Sequence, residues 1–171
     1  MSHSVRSDLA QPADGHFVMV PLSHGKFAIV DEADAELVLS GRPWTAIQPK
    51  TRTWYAGRHL RAPRVSISMH ILVAGYKGVD HVNGNGLDNR RINLRPATRA
   101  QNRVNCGLQS NNKSGYKGVR WDQRERKWIA AITADGHRMY LGCFDDPVDA
   151  ARAYNRAAAE AFGEYAWLNP V

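Results

Sequence analysis

The stretch Val79-Asp80-His81-Val82-Asn83-Gly84-Asn85 sets a carboxylate beside an imidazole and follows them with a carboxamide-rich, glycine-broken loop. Aspartate is a hard oxygen ligand for a divalent cation, and histidine accepts a proton near neutral pH. Phosphodiester hydrolysis needs both abilities: an activated water, and a cation to neutralise charge developing on the phosphate. On this reading Asp80 holds the metal, His81 takes the proton from water, and Asn102 supplies a second, neutral oxygen ligand. Oxygen ligands point to Mg2+ or Mn2+ more than to zinc. Neighbours on a regular strand face opposite ways, so Asp80 and His81 can serve one site only where the strand ends or bulges. The Asn83-Gly84 loop provides such an ending.

The elements around this segment read as follows. Residues 1–15 are a polar, flexible tail. Residues 16–22 and 26–30 are β-prone runs separated by the turn signal Ser23-His24-Gly25. Residues 31–39 predict a short helix that buries Val30, Ala33, Leu37 and Val38. A loop anchored by Trp44 spans 41–50, and residues 53–56 and 65–73 predict further strands. Thr98 and Gln101 fit a capping box that opens a helix from Arg99 to Asn105, carrying Asn102. Residues 107–114 are small and polar, a linker.

Beyond the linker three strands, 116–121, 127–134 and 137–144, precede one helix. Asp135-Gly136 is a two-residue hairpin turn, which pairs Ala134 with His137, Thr133 with Arg138, Ile132 with Met139, Ala131 with Tyr140 and Ala130 with Leu141. Alternation then gives a core face of Trp128, Ala130, Ile132, Met139 and Leu141 and an outer face of Ala131, Thr133, Arg138 and Tyr140. Small side chains let the backbone approach a DNA groove, and Arg reaches guanine edges or phosphates; an ordinary exposed sheet face is the alternative. Asp146 caps the helix with Pro147 at its first position and Gly163 at its end, and Ala150, Ala151, Tyr154, Ala157, Ala158, Ala161 and Phe162 recur at helical spacing.

Charge supports an anionic partner. The chain of 171 residues has a net charge of +7, and eleven basic against three acidic residues between Gly86 and Ile129 give that quarter a balance of +8. Polar, Asn-rich and aromatic residues are interleaved there, which favours nucleic acid over a merely solvated face. Two cysteines exclude a Cys-based zinc site and a disulfide framework. With neither an apolar leader nor an eighteen-residue apolar run, the expectation is a soluble, intracellular protein.

Two resemblances sharpen these expectations. Asp80-His81, Asn83-Gly84, Asp88-Asn89, Asn93-Leu94-Arg95 and Gln101-Asn102, with the upstream Met69-His70-Ile71-Leu72-Val73 run taken as a strand, resemble the HNH endonuclease family, as in phage and intron-encoded homing enzymes. The resemblance implies a ββα-metal core over about residues 65–105, within a domain spanning 16–106. It makes His81 the general base, Asp80 a metal ligand and Asn93 the residue that braces the loop and orients the base. Asn102 stands at the third position, often His, which makes this the HNN variant. It also offers Arg90, Arg91 and Arg95 as phosphate contacts, with ordinary surface roles equally open; His70 could contact DNA, though packing is favoured. Tyr116-Lys117-Gly118-Val119-Arg120-Trp121, Lys127-Trp128, Tyr140-Leu141-Gly142-Cys143-Phe144, the 149–154 helix and Leu168-Asn169 resemble the APETALA-two/ERF-type DNA-binding domain, over 115–171. That implies contacts to DNA from Lys117, Arg120, Arg138 and Tyr140, with Arg124 and Arg126 in the first hairpin loop and Thr133 on the outer face. Ala131 and Thr133 stand where some members of that family have Glu and Arg, so base preference does not transfer.

The expected protein is therefore α+β: a β-rich platform, a nuclease core, and a three-stranded antiparallel sheet packed on one helix. Its expected partner is double-stranded DNA, with no membrane or protein partner implied and a monomer favoured, in the cytoplasm of a bacterial or phage-infected cell at the nucleoid. The alternative is a DNA-binding regulator whose nuclease-like region is only a scaffold.

Overall fold

The computed structural model describes residues 16–48, 53–61, 64–109 and 111–171; the tail expected at 1–15 and the end of the 41–50 loop lie outside them. The fold is mixed α and β, with several small antiparallel sheets and few helices. Between Asn102 and Arg103 the chain divides into two compact units.

In the first unit, β1 (Phe17–Pro21) and β2 (Phe27–Asp31) pair antiparallel. A 3-10 turn at Glu32–Asp34 leads into α1 (Ala35–Leu39). Of the side chains expected inside, Val30 and Val38 are buried, while Ala33 and Leu37 are exposed. Helical spacing alone misjudges a segment that starts as a 3-10 turn, because a tighter turn rotates the buried stripe. Residues 41–50 also differ from a plain loop, since β3 (Thr45–Ile47) joins β4 (Tyr55–Arg61) and β5 (Arg64–Ser68) in a sheet of order β3-β4-β5. Trp44 is buried as expected, and its Nε1 donates to the Val38 carbonyl at 2.8 Å.

The Met69–Val73 run corrects the expected strand: it is helical, α2 (Met69–Ala74). Met69 and Val73, four positions apart and so on one helix face, are both buried, and Gly75 ends the helix. A continuous apolar run reads alike as strand or helix until its buried spacing is known. Met69 and Val73 join Val20, Ala28, Val30, Val38, Trp44, Ala46 and Ala56 in one core. Full burial of each large member stabilises the unit by about 1.5–3 kcal/mol.

On this platform β6 (Val79–His81) and β7 (Leu94–Pro96) form an antiparallel pair, Asp80 opposite Arg95 and His81 opposite Leu94. Then comes α3 (Arg99–Asn105), within which the division between the units falls.

The second unit holds β8 (Val119–Asp122), β9 (Lys127–Ala134) and β10 (His137–Phe144) in order β10-β9-β8, followed by α4 (Pro147–Phe162). Asp146 Oδ1 accepts the Val148 N–H at 2.6 Å, so the predicted cap forms. Ala153 is buried instead of Ala161, which is exposed. The hairpin register holds through Tyr140 opposite Ala131 and then shifts, putting Gly142, not Leu141, opposite Ala130. Leu141 is the extra residue of a β-bulge, and Gly142 takes φ 128°, a backbone conformation that favours glycine. The slip reverses the alternation beyond it: Phe144 packs on the core and Cys143 is exposed. Met139, expected inside, is 43% exposed on β10 at the edge of the sheet. Trp128 and Leu141 pack against the core as read.

Candidate active site and nucleic-acid face

Strand β6 ends at His81, where the Gly84 N–H donates to the His81 carbonyl and turns the chain. Asp80 and His81 are both buried, Asp80 against Arg95 and His81 against Asn89. The loop that follows is held by its own amides. Asn85 N–H donates to Asn83 Oδ1, Leu87 N–H to Asn85 Oδ1, and Asn83 Nδ2 to Asp88 Oδ2. Its far side is stitched to β2 by Ile29 N–H donating to Leu87 O and Asn89 N–H to Ile29 O. The platform, mute about function in the sequence, thus fixes where the loop lies.

His81 is the titratable centre. Its Nε2 lies 3.4 Å from Asn89 Oδ1, and Asn89 Nδ2 donates to the Leu87 carbonyl, which turns the amide oxygen toward the ring. The tautomer satisfying this pair carries its proton on Nε2 and its basic lone pair on Nδ1. Burial lowers the His81 pKa, opposed by the Asn89 hydrogen bond and the Asp80 and Asp88 charges. The neutral, proton-accepting ring is the favoured form. Behind it, His70 meets His81 edge to face with centroids 5.0 Å apart, and Tyr55 lies 5.9 Å from His81 and 6.0 Å from His70. Burial, and then the neighbouring His81, push the His70 pKa down to about 4.

Asn93 is buried and spans the loop: its Oδ1 accepts the Asn83 N–H at 2.9 Å, and its Nδ2 donates to the Asp88 carbonyl at 2.7 Å. Asn102 projects from α3, whose capping box forms in both directions: Gln101 N–H donates to Thr98 Oγ1 and Thr98 N–H to Gln101 Oε1. Asn102 Nδ2 donates to the carbonyl of Val79, the residue before Asp80. Asp80 and His81 thus stand on β6, Asn93 ties the loop that follows it, and the exposed Asn102 bonds the β6 backbone at Val79.

Among the described residues, no three His, Cys, Asp or Glu side chains gather as a metal-holding group. Asp80 is a buried carboxylate and Asn102 a carboxamide bonded to the carbonyl of the residue before it, donor types that fit a cation that keeps much of its water, as Mg2+ does. Asp80 Oδ2 also accepts from Arg95 Nε at 3.0 Å and Nη2 at 2.8 Å, so a cation there would share the carboxylate with a guanidinium.

The three arginines considered for phosphate are turned inward to different degrees. Arg95 is buried against Asp80, and Arg90 is buried in a two-pronged pair with Asp88 at 2.8 and 2.6 Å, which raises its pKa. Arg91 grips the buried Asp34 at 2.8 and 2.7 Å, yet its side chain remains 59% exposed. Sequence reasoning assigned no role to Asn89, Tyr55 or Asp34. The adjacent Asp88-Asn89 pair was the signal available for the first; nothing in the sequence marks the other two.

In the second unit, Gly118, Val119, Arg120, Ala131, Thr133 and Arg138 line a cavity of about 290 Å3 on the outer face of the sheet. Thr133, Arg138 and Tyr140 are exposed, as are Arg124 and Arg126 in the first hairpin loop. Arg120 pairs loosely with Asp122 at 3.3 Å. Lys117 differs: its Nζ donates to the Val104 and Cys106 carbonyls at 2.6 and 2.7 Å and lies over the Trp167 ring.

No family model and no solved structure matches the chain. Over 93 residues it is 37% identical to an uncharacterized HNH endonuclease of Acanthamoeba polyphaga mimivirus, covering 54% of this chain and 47% of the relative. Protein 3.8 of Escherichia phage T7 is 36% identical over 58 residues, 34% of this chain and 48% of that protein. An AP2-like ethylene-responsive transcription factor of Arabidopsis thaliana is 34% identical over 98 residues, 57% of this chain and 20% of the plant protein. The chain thus spans about half the length of its viral and phage relatives and a fifth of the plant one, and is similar to proteins of two kinds, an HNH endonuclease and AP2-type factors.

Proposed function

We propose that the chain is a metal-dependent DNA endonuclease of the HNH type, HNN variant, with β6, β7 and α3 as its ββα-metal core and the second unit as its grip on duplex DNA. The observation that supports this reading is that Asn93 ties the loop after β6 and Asn102 the β6 backbone at Val79, around the buried Asp80 and His81, with Asn89 against the His81 ring. His81 takes a proton from water as the water oxygen bonds to phosphorus and the P–O bond to the leaving sugar oxygen breaks. Asn93 holds the loop in register. Asp80 and Asn102 would hold Mg2+ or Mn2+, which would supply neutralisation of the charge developing on the phosphate. Similarity to a viral HNH endonuclease supports the assignment.

Similarity to plant AP2-type factors, and the arginine-flanked cavity on β8–β10, support docking of the outer face in the major groove. Arg120, Thr133, Arg138 and Tyr140 make the contacts there, with Arg124 and Arg126 on flanking phosphates. Lys117, bonded to backbone carbonyls, positions the strand start.

The guanidinium on Asp80 favours a second reading, a DNA-binding regulator with a non-catalytic nuclease scaffold. Supercoiled plasmid incubated with the protein and Mg2+, and again with chelator, separates the two. Nicked or linear product that chelator abolishes is expected; intact plasmid, bound but uncut, supports the regulator.

A further inference from the structure

Among the described residues His70 Nδ1 is one of two fully buried side-chain polar atoms with no hydrogen-bond partner. Leaving such an atom unpaired opposes folding, and folded proteins seldom do so. Its position makes the exception informative. His70 follows the buried Met69 on α2, and its ring packs in a triangle with Tyr55 and His81, 6.0 and 5.0 Å away. If this place needed only volume, an apolar ring would fill it with no polar atom stranded.

We propose that His70 is a positioning residue of the His81 site, retained as an imidazole because its polar edge is needed during the reaction and not for the fold. The inference rests on the endonuclease reading. When His81 takes the proton from water its ring becomes cationic in a buried setting. A neutral imidazole packed against it is a fixed dipole, already ordered, that acts on the charged state and does little in the resting one. Tyr55 packs against both rings, 6.0 Å from His70 and 5.9 Å from His81.

His70→Phe keeps an aromatic ring and removes both nitrogens; His70→Asn keeps a polar atom at the Nδ1 position and gives up the ring. Plasmid cleavage, DNA affinity and the thermal midpoint are measured on the full chain for both variants and the wild type. For His70→Phe the expected result is a midpoint equal to or above the wild type, unchanged DNA affinity, and a kcat lower by about tenfold. His70→Asn should recover part of that loss. A His70→Phe protein that cuts like the wild type, or that does not fold, overturns the inference, as does a His70→Asn protein no faster than His70→Phe. A wild type that binds but does not cut overturns the endonuclease reading instead, and this inference with it.

Discussion

On the proposed mechanism Asn89 and His70 touch neither the attacking water nor the phosphate and act through the His81 ring, against which both pack. Asn89 is fully buried and holds Nε2 of His81, so Asn89→Ala releases the ring without touching the basic nitrogen. Its kcat should fall by about 10- to 100-fold in a cleavage assay, the size typical of lost supporting hydrogen bonds, while DNA affinity stays near the wild type. His70 has a stability signature as well. Its pKa is about 4 in the folded chain against an ordinary 6.5, so the folded state resists protonation that the unfolded state accepts. Stability from this group is complete above pH 6.5 and is lost as pH falls from 6.5 toward 4, on the order of 3 kcal/mol in all. Denaturant titrations at pH 7 and pH 5 should show the drop in the wild type and a smaller one in His70→Phe. At this scale the sequence was legible as far as neighbourhood goes: Asn93 and Asn102 are tied to the backbone around Asp80 and His81. Partners brought from elsewhere in the chain, Tyr55 on β4 and Asp34 before α1, were not, because burial and packing alone bring them in.

Elements were readable where a local rule forces them and unreadable where tertiary context chooses. The Thr98–Gln101 capping box, the Asp146-Pro147 start of α4 and the Asp135-Gly136 turn each satisfy backbone groups locally, and each forms as read. The bulge after Tyr140 did not announce itself, because Leu141-Gly142 in a strand pattern fits both a regular ladder and a kinked one. Likewise the apolar Met69–Val73 run became α2 since one helical face, not two strand faces, meets the core. The α3 cap matters beyond its own helix, as α3 carries Asn102 to the Val79 carbonyl. Thr98→Ala should lower stability by about 1 kcal/mol, seen in a thermal melt, and raise the Mg2+ concentration needed for half-maximal cleavage.

For the whole molecule, a net charge of +7 concentrated between Gly86 and Ile129 makes association with a polyanion strongly electrostatic. Affinity for duplex DNA should fall steeply with added salt, and replacing Arg124 and Arg126 together by Ala should flatten the slope of log K against log[salt] by about two contacts' worth. A slope unchanged by that double substitution removes the first hairpin loop from the phosphate contacts. Everything turns on whether the buried imidazole at the end of β6 takes a proton from water. The direct measurement compares wild type and His81→Ala for DNA affinity and Mg2+-dependent cleavage on one plasmid. The account predicts equal affinity with a cleavage rate lower by about 10^2- to 10^4-fold in the variant; equal cleavage by the two proteins contradicts it.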